Sequence, residues 1–380
     1  MSTSAAERLD VLDGLRGLAI LLVVWYHAWL VTGQTIPGVN FIAEAGFLGV
    51  DLFFFLSGFC LFYPFARALL ARKPPPTTGR FFYRRAAKIV PSYLLALIIF
   101  AFVYRAQFAS AGDAFVQLAS HLTFLHTLNP ATFGGISGPF WTIAVEVQFY
   151  LLFPFIVRFF QRAPLATYAA LVVGAQAYRM GVDAAGLSTT FWWINQLPAY
   201  LDVFAAGMLG AHVLVGLRLR PAAVHAPLVT GISIAAFAAA LGGLFAISSL
   251  GRGADVNAVY AWVNAHRLLA GPLCLVAGLS TAVATTGWRC IIASRVLVFF
   301  SVISYNLYLW NLEIVVWYRA AGWPAPVTFA AAIATAVAIA TAITYFLERP
   351  LLDADFLQLA ARLRVALRRV GAPAAVEERA

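Results

Sequence analysis

The sequence contains few charged residues for its length of 380 residues. Asp, Glu, Lys and Arg make up 11% of it, whereas about a quarter of the residues in a soluble domain are charged. Hydrophobic residues make up 62%, and the mean hydropathy is +0.84. This balance excludes an ordinary soluble domain and is typical of an integral membrane protein.

Cysteine is also scarce. Cys60, Cys274 and Cys290 each lie within or beside an apolar stretch, and their number and spacing exclude a disulfide framework or a zinc motif. His121 and His126 are five residues apart, a spacing that does not share a helix face, and no carboxylate motif accompanies them. We therefore expect buried free thiols and no metal site.

Long apolar runs are abundant instead. The hydrocarbon core of a bilayer is about 30 Å thick and requires about 20 apolar residues per helix. Ten stretches have a suitable length, near residues 11–31, 46–66, 86–105, 141–160, 164–180, 193–217, 227–249, 265–286, 296–318 and 325–346. They are continuously apolar rather than alternating, which disfavours a β-barrel. The predicted fold is an all-α integral membrane protein, a bundle of about ten transmembrane helices within residues 1–349.

The Lys and Arg residues predict the orientation of this bundle in the cell membrane. Cytoplasmic loops retain positive charge, and a cytoplasmic N-terminus leaves 21 of the 26 Lys and Arg residues on that side. An even number of spans then makes both termini cytoplasmic. We interpret the net charge of +10 as a topology signal and not as nucleic-acid binding. Residues 350–380 are predicted to form a cytoplasmic amphipathic basic tail on the anionic inner leaflet.

The first apolar stretch carries two ionisable side chains, Arg16 and His27. Such groups at bilayer depth are costly and are functional candidates by default. Eleven steps of 100° end about 20° past three full turns, so both side chains share one helix face, while the helix rise separates them by roughly 16 Å. One helix therefore connects two depths of the membrane.

A basic cluster precedes the third stretch. Arg84 and Arg85 lie four and three residues before Lys88, so the three cations converge on one helix face. Such a cluster suits phosphate groups, although positive-inside charge or contact with lipid headgroups is the simpler explanation of an isolated cluster. Pro91, near the start of the apolar run, predicts a break in the helix that lines a cavity.

Glu146 lies about six residues into the fourth stretch, where an unpaired carboxylate is costly. It therefore needs a partner. Pairing with an arginine would serve helix packing alone, whereas the presence of His27 on another span favours a polar pocket between helices.

Simpler structural roles are expected at three other positions. Asp13 is expected to form an ion pair with Arg16, three residues later on the same helix. Asp51 follows a glycine turn and is expected to cap the second span. Ser57-Gly58 is expected to allow close helix approach rather than to bind an oxyanion.

Several motifs follow one another along the chain. They are Asp13-Gly-Leu-Arg16-Gly with His27, Gly49-Val-Asp51-Leu-Phe-Phe-Phe-Leu-Ser57-Gly58-Phe59, Arg84-Arg85 to Tyr93, Trp141 to Tyr150, Ile303 to Trp310, and Phe346-Leu-Glu348-Arg349-Pro350. Their order resembles that of the acyltransferase-3 family of integral membrane acyltransferases. The resemblance extends from residue 9 to about residue 352.

The resemblance implies ten membrane helices and transfer of an acyl group, commonly acetyl, from cytoplasmic acyl-CoA to a hydroxyl of a sugar, glycolipid or related acceptor. It also implies that Arg16 and His27 are central to activity. Two positions depart from the family pattern. The Arg-x-x-Arg pair of the family is Arg85-Ala-Ala-Lys88 here. A guanidinium, which can form two parallel hydrogen bonds to a phosphate, is thus replaced by an ammonium, which acts as a point charge. Asn311 stands where the family often has histidine, and we assign it no role in proton transfer.

These residues support an acyl-transfer mechanism. A thioester is already activated, so the difficult steps are to generate a nucleophilic hydroxyl and to stabilise the oxyanion that follows. His27 is the natural general base, and a covalent acyl-histidine relay is the rival version. Glu146 is expected to orient His27 or to bind acceptor hydroxyls from the outer side. The catalytic candidates are His27, Arg16 and Glu146, and the candidates for binding donor phosphates are Arg84, Arg85 and Lys88.

A proton-coupled transporter or flippase is the competing function, because ion relays also use buried Arg, His and Glu on separate spans. The basic cluster and the motif order favour the acyltransferase, since a proton relay requires neither. The expected partners are acyl-CoA, a carbohydrate or glycolipid acceptor and the lipid bilayer, with no nucleic acid and no metal.

Overall fold

The computed structural model describes residues 10–219, 225–252 and 256–353, and every regular element in these ranges is helical. The long helices in them, numbered in chain order, are α1 Asp10–Thr32, α2 Gly49–Leu70, α3 Thr78–Val103, α4 Phe140–Arg162, α5 Pro164–Ala184, α6 Leu201–Arg218, α7 Ala226–Gly251, α8 Val256–Val283, α9 Arg295–Ala320 and α10 Ala325–Leu352. Helix α8 contains a 3-10 turn at Arg267–Leu269.

Nine of these helices are long and apolar enough to cross a membrane, and they coincide with nine of the predicted stretches. The exception among the described residues is α5, where a span was predicted at 164–180. This segment does form a helix of 21 residues, but Gln176 and Arg179 make it less apolar than the others. Ten spans are therefore not confirmed. The predicted tail lies outside the described residues from position 354 onwards.

The centre of the bundle is formed by α1, α2, α6 and α9. Helix α1 packs along α9, α2 packs along α6, and α10 covers α9. A Cβ atom on Gly58 of α2 would lie 2.1 Å from the carbonyl oxygen of Phe204, and one on Gly207 of α6 would lie 2.0 Å from that of Phe55. The two backbones are therefore in direct contact, which confirms that Gly58 permits close helix approach.

Helix α3 is continuous through Pro91, so the predicted break at this residue is wrong. Proline lacks a backbone N–H and weakens the regular ladder around it. The hydroxyl of Tyr305 on α9 donates to the carbonyl oxygen of Ile89, at 2.9 Å. The carbonyl oxygen that loses its helical donor at Pro91 is that of Ala87, four residues earlier, so the Tyr305 contact connects α3 to α9 rather than replacing the missing bond.

Helix α10 contains a π-helical turn at Thr344–Glu348. The turn lies just before Pro350, whose ring cannot continue the hydrogen-bond ladder. It places the buried carboxylate of Glu348 against α3 and α9, where Lys88 and Asn306 donate to it. The end of α10 is thereby fixed beside the basic cluster of α3.

Candidate functional site

Two adjoining cavities lie between the helices and contain all six candidate residues. One has a volume of about 550 Å³ and is lined by His27; we call it the His27 cavity. The other has a volume of about 360 Å³ and is lined by Arg16; we call it the Arg16 cavity. Val50 and Tyr308 line both. Helix α1 thus contributes to both cavities through the two side chains that its sequence places on one face.

The imidazole of His27 is held by Asn311 of α9. Its Nδ1 lies 2.7 Å from Oδ1 of Asn311. The Nδ2 group of Asn311 donates to the carbonyl oxygens of Leu307 at 2.8 Å and Tyr308 at 2.9 Å, which fixes the amide with its oxygen towards the ring. Nδ1 therefore carries the proton, and Nε2 keeps its lone pair. Sequence reasoning missed this partner. The only sign of it in the sequence is that Asn311 stands where the family often has histidine.

The guanidinium of Arg16 lies between Asp13 and Cys60. Its Nη1 is 3.5 Å from Oδ1 of Asp13, and its Nη2 is 3.3 Å from Sγ of Cys60. The predicted ion pair between Asp13 and Arg16 is therefore confirmed. The same carboxylate oxygen accepts a hydrogen bond from Ser301 of α9 at 3.4 Å, so the pair also connects α1 to α9.

The carboxylate of Glu146 lies in the Arg16 cavity. It accepts hydrogen bonds from Ser57 at 2.6 Å and from Tyr150 at 2.5 Å, and these two hydroxyls are the partners that its depth requires. Glu146 makes no hydrogen bond to His27 within the described residues, and the hydrogen-bond partner of that imidazole is Asn311. The cavity of Glu146 is also not the one that His27 lines.

The basic cluster lines the Arg16 cavity as a group, with Arg84, Arg85 and Lys88 all in its wall. Lys88 forms an ion pair with Glu348, whose other oxygen accepts from Asn306 at 2.9 Å. This pairing compensates the charge of Lys88. Arg84 and Arg85 make no ion pair within the described part of the chain, and the guanidinium of Arg85 lies 5.9 Å from the centre of the Tyr150 ring.

Asp51 does not cap α2 as predicted, because it makes no capping hydrogen bond within the described residues. Its Oδ1 lies 3.5 Å from Nε of Arg267 in α8, and both side chains line the His27 cavity. The guanidinium also lies over the ring of Tyr200, 4.3 Å from its centre. Sequence reasoning missed Arg267, because 216 positions separate the two residues.

His121 and His126 are both buried, and their rings stack with centres 4.0 Å apart. They meet because the helix Ala111–Leu122 ends between them and the chain turns at Phe124, where φ is 58°. Burial lowers the pKa of His121 to about 4 and that of His126 to about 3. Among the described residues, no group of three or more His, Cys, Asp or Glu side chains is placed to hold a metal ion.

The cysteines form no disulfide within the described residues. Cys60 and Cys274 are half-buried, but Cys290 is exposed. The expectation of buried thiols is therefore wrong for Cys290, which lies in the short helix Thr286–Ile292 between α8 and α9.

The sequence of this chain is similar to sequences of known proteins. The family model described as an acyltransferase domain matches residues 9–346. The exopolysaccharide production protein ExoZ of Rhizobium meliloti (strain 1021) is 29% identical over 81% of this chain and 90% of its own length. Protein 2 in the picA locus of Rhizobium radiobacter is 31% identical over 39% of this chain and 81% of its own length. No solved structure matches the chain.

A third relative is much longer than the segment of it that matches this chain. The peptidoglycan O-acetyltransferase OatA of Listeria monocytogenes is 28% identical over 38% of this chain, but the match covers only 23% of OatA. The family match by itself includes all six candidate residues and both residues shared by the cavities. The chain therefore belongs to the acyltransferase-3 family and is a multi-pass membrane enzyme that transfers acyl groups.

Proposed function

We propose that this enzyme transfers an acyl group, in the first instance acetyl, from cytoplasmic acyl-CoA to a hydroxyl of a carbohydrate, glycolipid or related acceptor. The observation that carries the proposal is the junction of the two cavities at Val50 and Tyr308. A cationic cavity suited to a nucleotide donor adjoins a cavity that contains an imidazole. A donor in the first and an alcohol in the second would meet at this junction.

The donor side is assigned to the Arg16 cavity. Arg84 and Arg85 form no ion pair there within the described residues, and guanidinium groups bind phosphates through paired hydrogen bonds. Arg16 of α1 lines the same cavity. We assign it to the donor arm, the part of acyl-CoA between its phosphates and its thioester. The carboxylate of Glu146 is a hydrogen-bond acceptor on the same wall, and we assign it to an amide N–H of that arm rather than to the acceptor.

The chemical step is assigned to His27. Nε2 removes the proton of the acceptor hydroxyl, and the oxygen attacks the thioester carbonyl. A carbon–oxygen bond forms, the carbon–sulfur bond breaks, and the imidazolium returns the proton to the departing thiolate, which leaves as the thiol of CoA. Asn311 accepts from Nδ1 throughout and stabilises the imidazolium. The products are an ester of the acceptor and free CoA.

A buried ion pair supports a crossing by α5 and hence ten spans. Arg179, in the last two turns of α5, pairs with Asp202 in the first turn of α6. Helix α5 starts two residues after α4 ends at Arg162, and its 21 residues correspond to about 31 Å. It therefore connects the end of α4 with the level at which α6 begins. With α5 as the tenth span, both termini are cytoplasmic, as the charge distribution favours.

The main test is transfer by purified protein in detergent. The enzyme is incubated with labelled acetyl-CoA and a panel of glycans and glycolipids, and the products are identified by mass spectrometry. We expect acetyl esters on one class of acceptor. Labelled acetyl-CoA that remains intact with every hydroxyl acceptor would contradict the proposal.

Cys60 provides an independent test of donor binding, because its thiol lines the Arg16 cavity. In a Cys274→Ser/Cys290→Ser background, maleimide modifies Cys60 alone. We expect CoA to slow this modification and soluble glycans to leave it unchanged. In vesicles, an impermeant maleimide should react only from the cytoplasmic side, and reaction from the other side would contradict the orientation.

The competing transporter or flippase is not favoured by the family match. No second function is proposed.

A further inference from the structure

We infer that Asp51 and Arg267 anchor two neighbouring hydroxyls of a pyranose acceptor in the His27 cavity. The inference rests on the proposed acyl transfer and specifies the acceptor class and its binding residues. Neither residue belongs to the six candidates of the sequence.

The two side chains are buried in the cavity wall but are incompletely bonded. Asp51 is 4% exposed and Arg267 is 6% exposed. The 3.5 Å between Oδ1 and Nε is longer than an ordinary N–H···O hydrogen bond, and neither atom has a hydrogen-bond partner in the described part of the chain. Buried polar atoms are nearly always bonded. Two such atoms side by side in a cavity wall are therefore typical of a binding site.

A second buried pair shows what a purely structural pair looks like in this protein. Arg179 donates to both carboxylate oxygens of Asp202, at 2.6 and 3.2 Å. Its remaining hydrogen bonds go to Gln176 and to the carbonyl oxygen of Ala199. This pair lines neither the His27 cavity nor the Arg16 cavity. The looser geometry of Asp51 and Arg267 thus occurs where a cavity is present.

The guanidinium of Arg267 is fixed before any ligand binds. It donates to the carbonyl oxygen of Ile194 and to Oδ1 of Asn195, the latter at 3.4 Å. It also lies over Tyr200, whose hydroxyl donates to the same Asn195 oxygen. A group that is oriented in advance loses little entropy on binding.

Helix α2, which carries Asp51, begins against the helix that carries His27. A Cβ atom on Gly49 would lie 2.5 Å from the carbonyl oxygen of Ala19 and 2.9 Å from Cγ2 of Val23. The start of α2 is therefore in direct contact with α1 one turn before His27. Asp51 and His27 both line the His27 cavity, and the two helices that carry them touch.

The chemistry of the pair matches a vicinal diol. A carboxylate accepts hydrogen bonds and a guanidinium donates them, so adjacent hydroxyls can each donate to Asp51 or accept from Arg267. Trp141, Tyr200 and Tyr260 also line the cavity, and aromatic faces pack on the apolar face of a sugar ring. The volume of about 550 Å³ is within the range of small-molecule sites.

The test uses Asp51→Asn in the full-length protein, labelled acetyl-CoA and methyl glycosides of glucose, galactose, mannose and N-acetylglucosamine. We expect the acceptor KM to rise about tenfold to a hundredfold, as for loss of a hydrogen bond to a charged group. CoA protection of Cys60 should not change. Asp202→Asn is the matched control, because it alters the other buried pair. It should lower thermal stability and leave the acceptor KM unchanged.

Deoxy sugars provide a second measurement, the first half of which needs only the wild-type enzyme. With the wild-type enzyme, one of two neighbouring monodeoxy analogues should have an acceptor KM raised by the same factor relative to the parent sugar. In Asp51→Asn the parent sugar and this analogue should have the same KM, as expected for a direct interaction. An unchanged KM in Asp51→Asn, an equal effect in Asp202→Asn, or transfer to none of the pyranosides would overturn the inference. Absence of CoA protection in the wild type would instead overturn the proposed donor site.

Discussion

The imidazole of His27 on α1 lies 2.7 Å from the side-chain oxygen of Asn311 on α9, across 284 positions of sequence. Both ends of the asparagine amide are used, since its nitrogen donates to two carbonyl oxygens of its own helix. The orientation of the amide therefore determines which nitrogen of His27 is free to accept a proton. This relationship leads to the first two predictions.

His27→Ala should reduce kcat by at least the 10²- to 10⁴-fold that a general base contributes. The protein should still fold and bind donor, because His27 lies outside the Arg16 cavity. Transfer is measured with labelled acetyl-CoA, with the thermal unfolding midpoint and CoA protection of Cys60 as controls. Normal turnover would exclude His27 as the base. An acetylated His27 peptide in a quenched wild-type reaction would favour the relay.

Asn311→Ala should lower kcat by roughly ten- to a hundredfold and leave both KM values unchanged, because the tautomer and direction of the imidazole would no longer be set. The loss should vanish in the background of His27→Ala, since two residues that act as one unit are not additive. Asn306→Ala on the same helix is the control and should change stability rather than kcat. If the effects of the two substitutions on kcat add in the double variant, Asn311 does not act through His27.

Arg85→Ala should raise the donor KM by about tenfold or more through loss of a charge-assisted hydrogen bond to phosphate. The acceptor KM and the unfolding midpoint should not change, because Arg85 makes no ion pair within the described residues. The measurement is the CoA concentration that half-protects Cys60. An unchanged value would assign the basic cluster to membrane topology alone.

Lys88→Met should destabilise the protein by roughly 3 kcal/mol, because it leaves Glu348 buried without its cation. Glu348 is 3% exposed, whereas the side chain of Lys88 is 35% exposed. Adding Glu348→Gln should restore part of this loss, since the neutral amide needs no counter-charge. Thermal unfolding in detergent measures both variants. Equal midpoints for wild type and Lys88→Met would show that the pair contributes little.

The stacked histidines predict a pH dependence of stability. Because burial lowers the pKa of His121 to about 4 and that of His126 to about 3, their contribution is fully present above about pH 6.5. Below that, the unfolded chain binds protons that the folded chain does not. The free energy of unfolding should fall by up to about 1.4 kcal/mol per pH unit for each histidine, until the pH approaches the folded values.

His126→Phe retains a stacked ring and should make this dependence shallower between pH 6 and 4. The readout is the unfolding midpoint as a function of pH. A slope in His126→Phe as steep as in the wild type would assign the acid sensitivity to other groups.

The features that sequence reasoning predicted correctly have local causes. Hydropathy over about 20 residues identified nine helices of the described residues that are long and apolar enough to span a membrane. A three-residue spacing identified the pair of Asp13 and Arg16. The convergence of Arg84, Arg85 and Lys88 on one face follows from the helical repeat alone. The predictions that failed concern Pro91, Asp51 and Cys290, where contacts with neighbouring helices, or the lack of them, decide the outcome.

The sequence by itself thus determined the membrane class, the helices and the family, because each depends on residues close together in the chain or on the order of short motifs. Only the tertiary structure decided the partners of the buried polar groups: Asn311 for His27, Glu348 for Lys88, Ser57 for Glu146 and Arg267 for Asp51. Helix packing brings these groups together across 89 to 284 positions. Hydrogen bonding and burial depend on distance in space, and no local pattern encodes it.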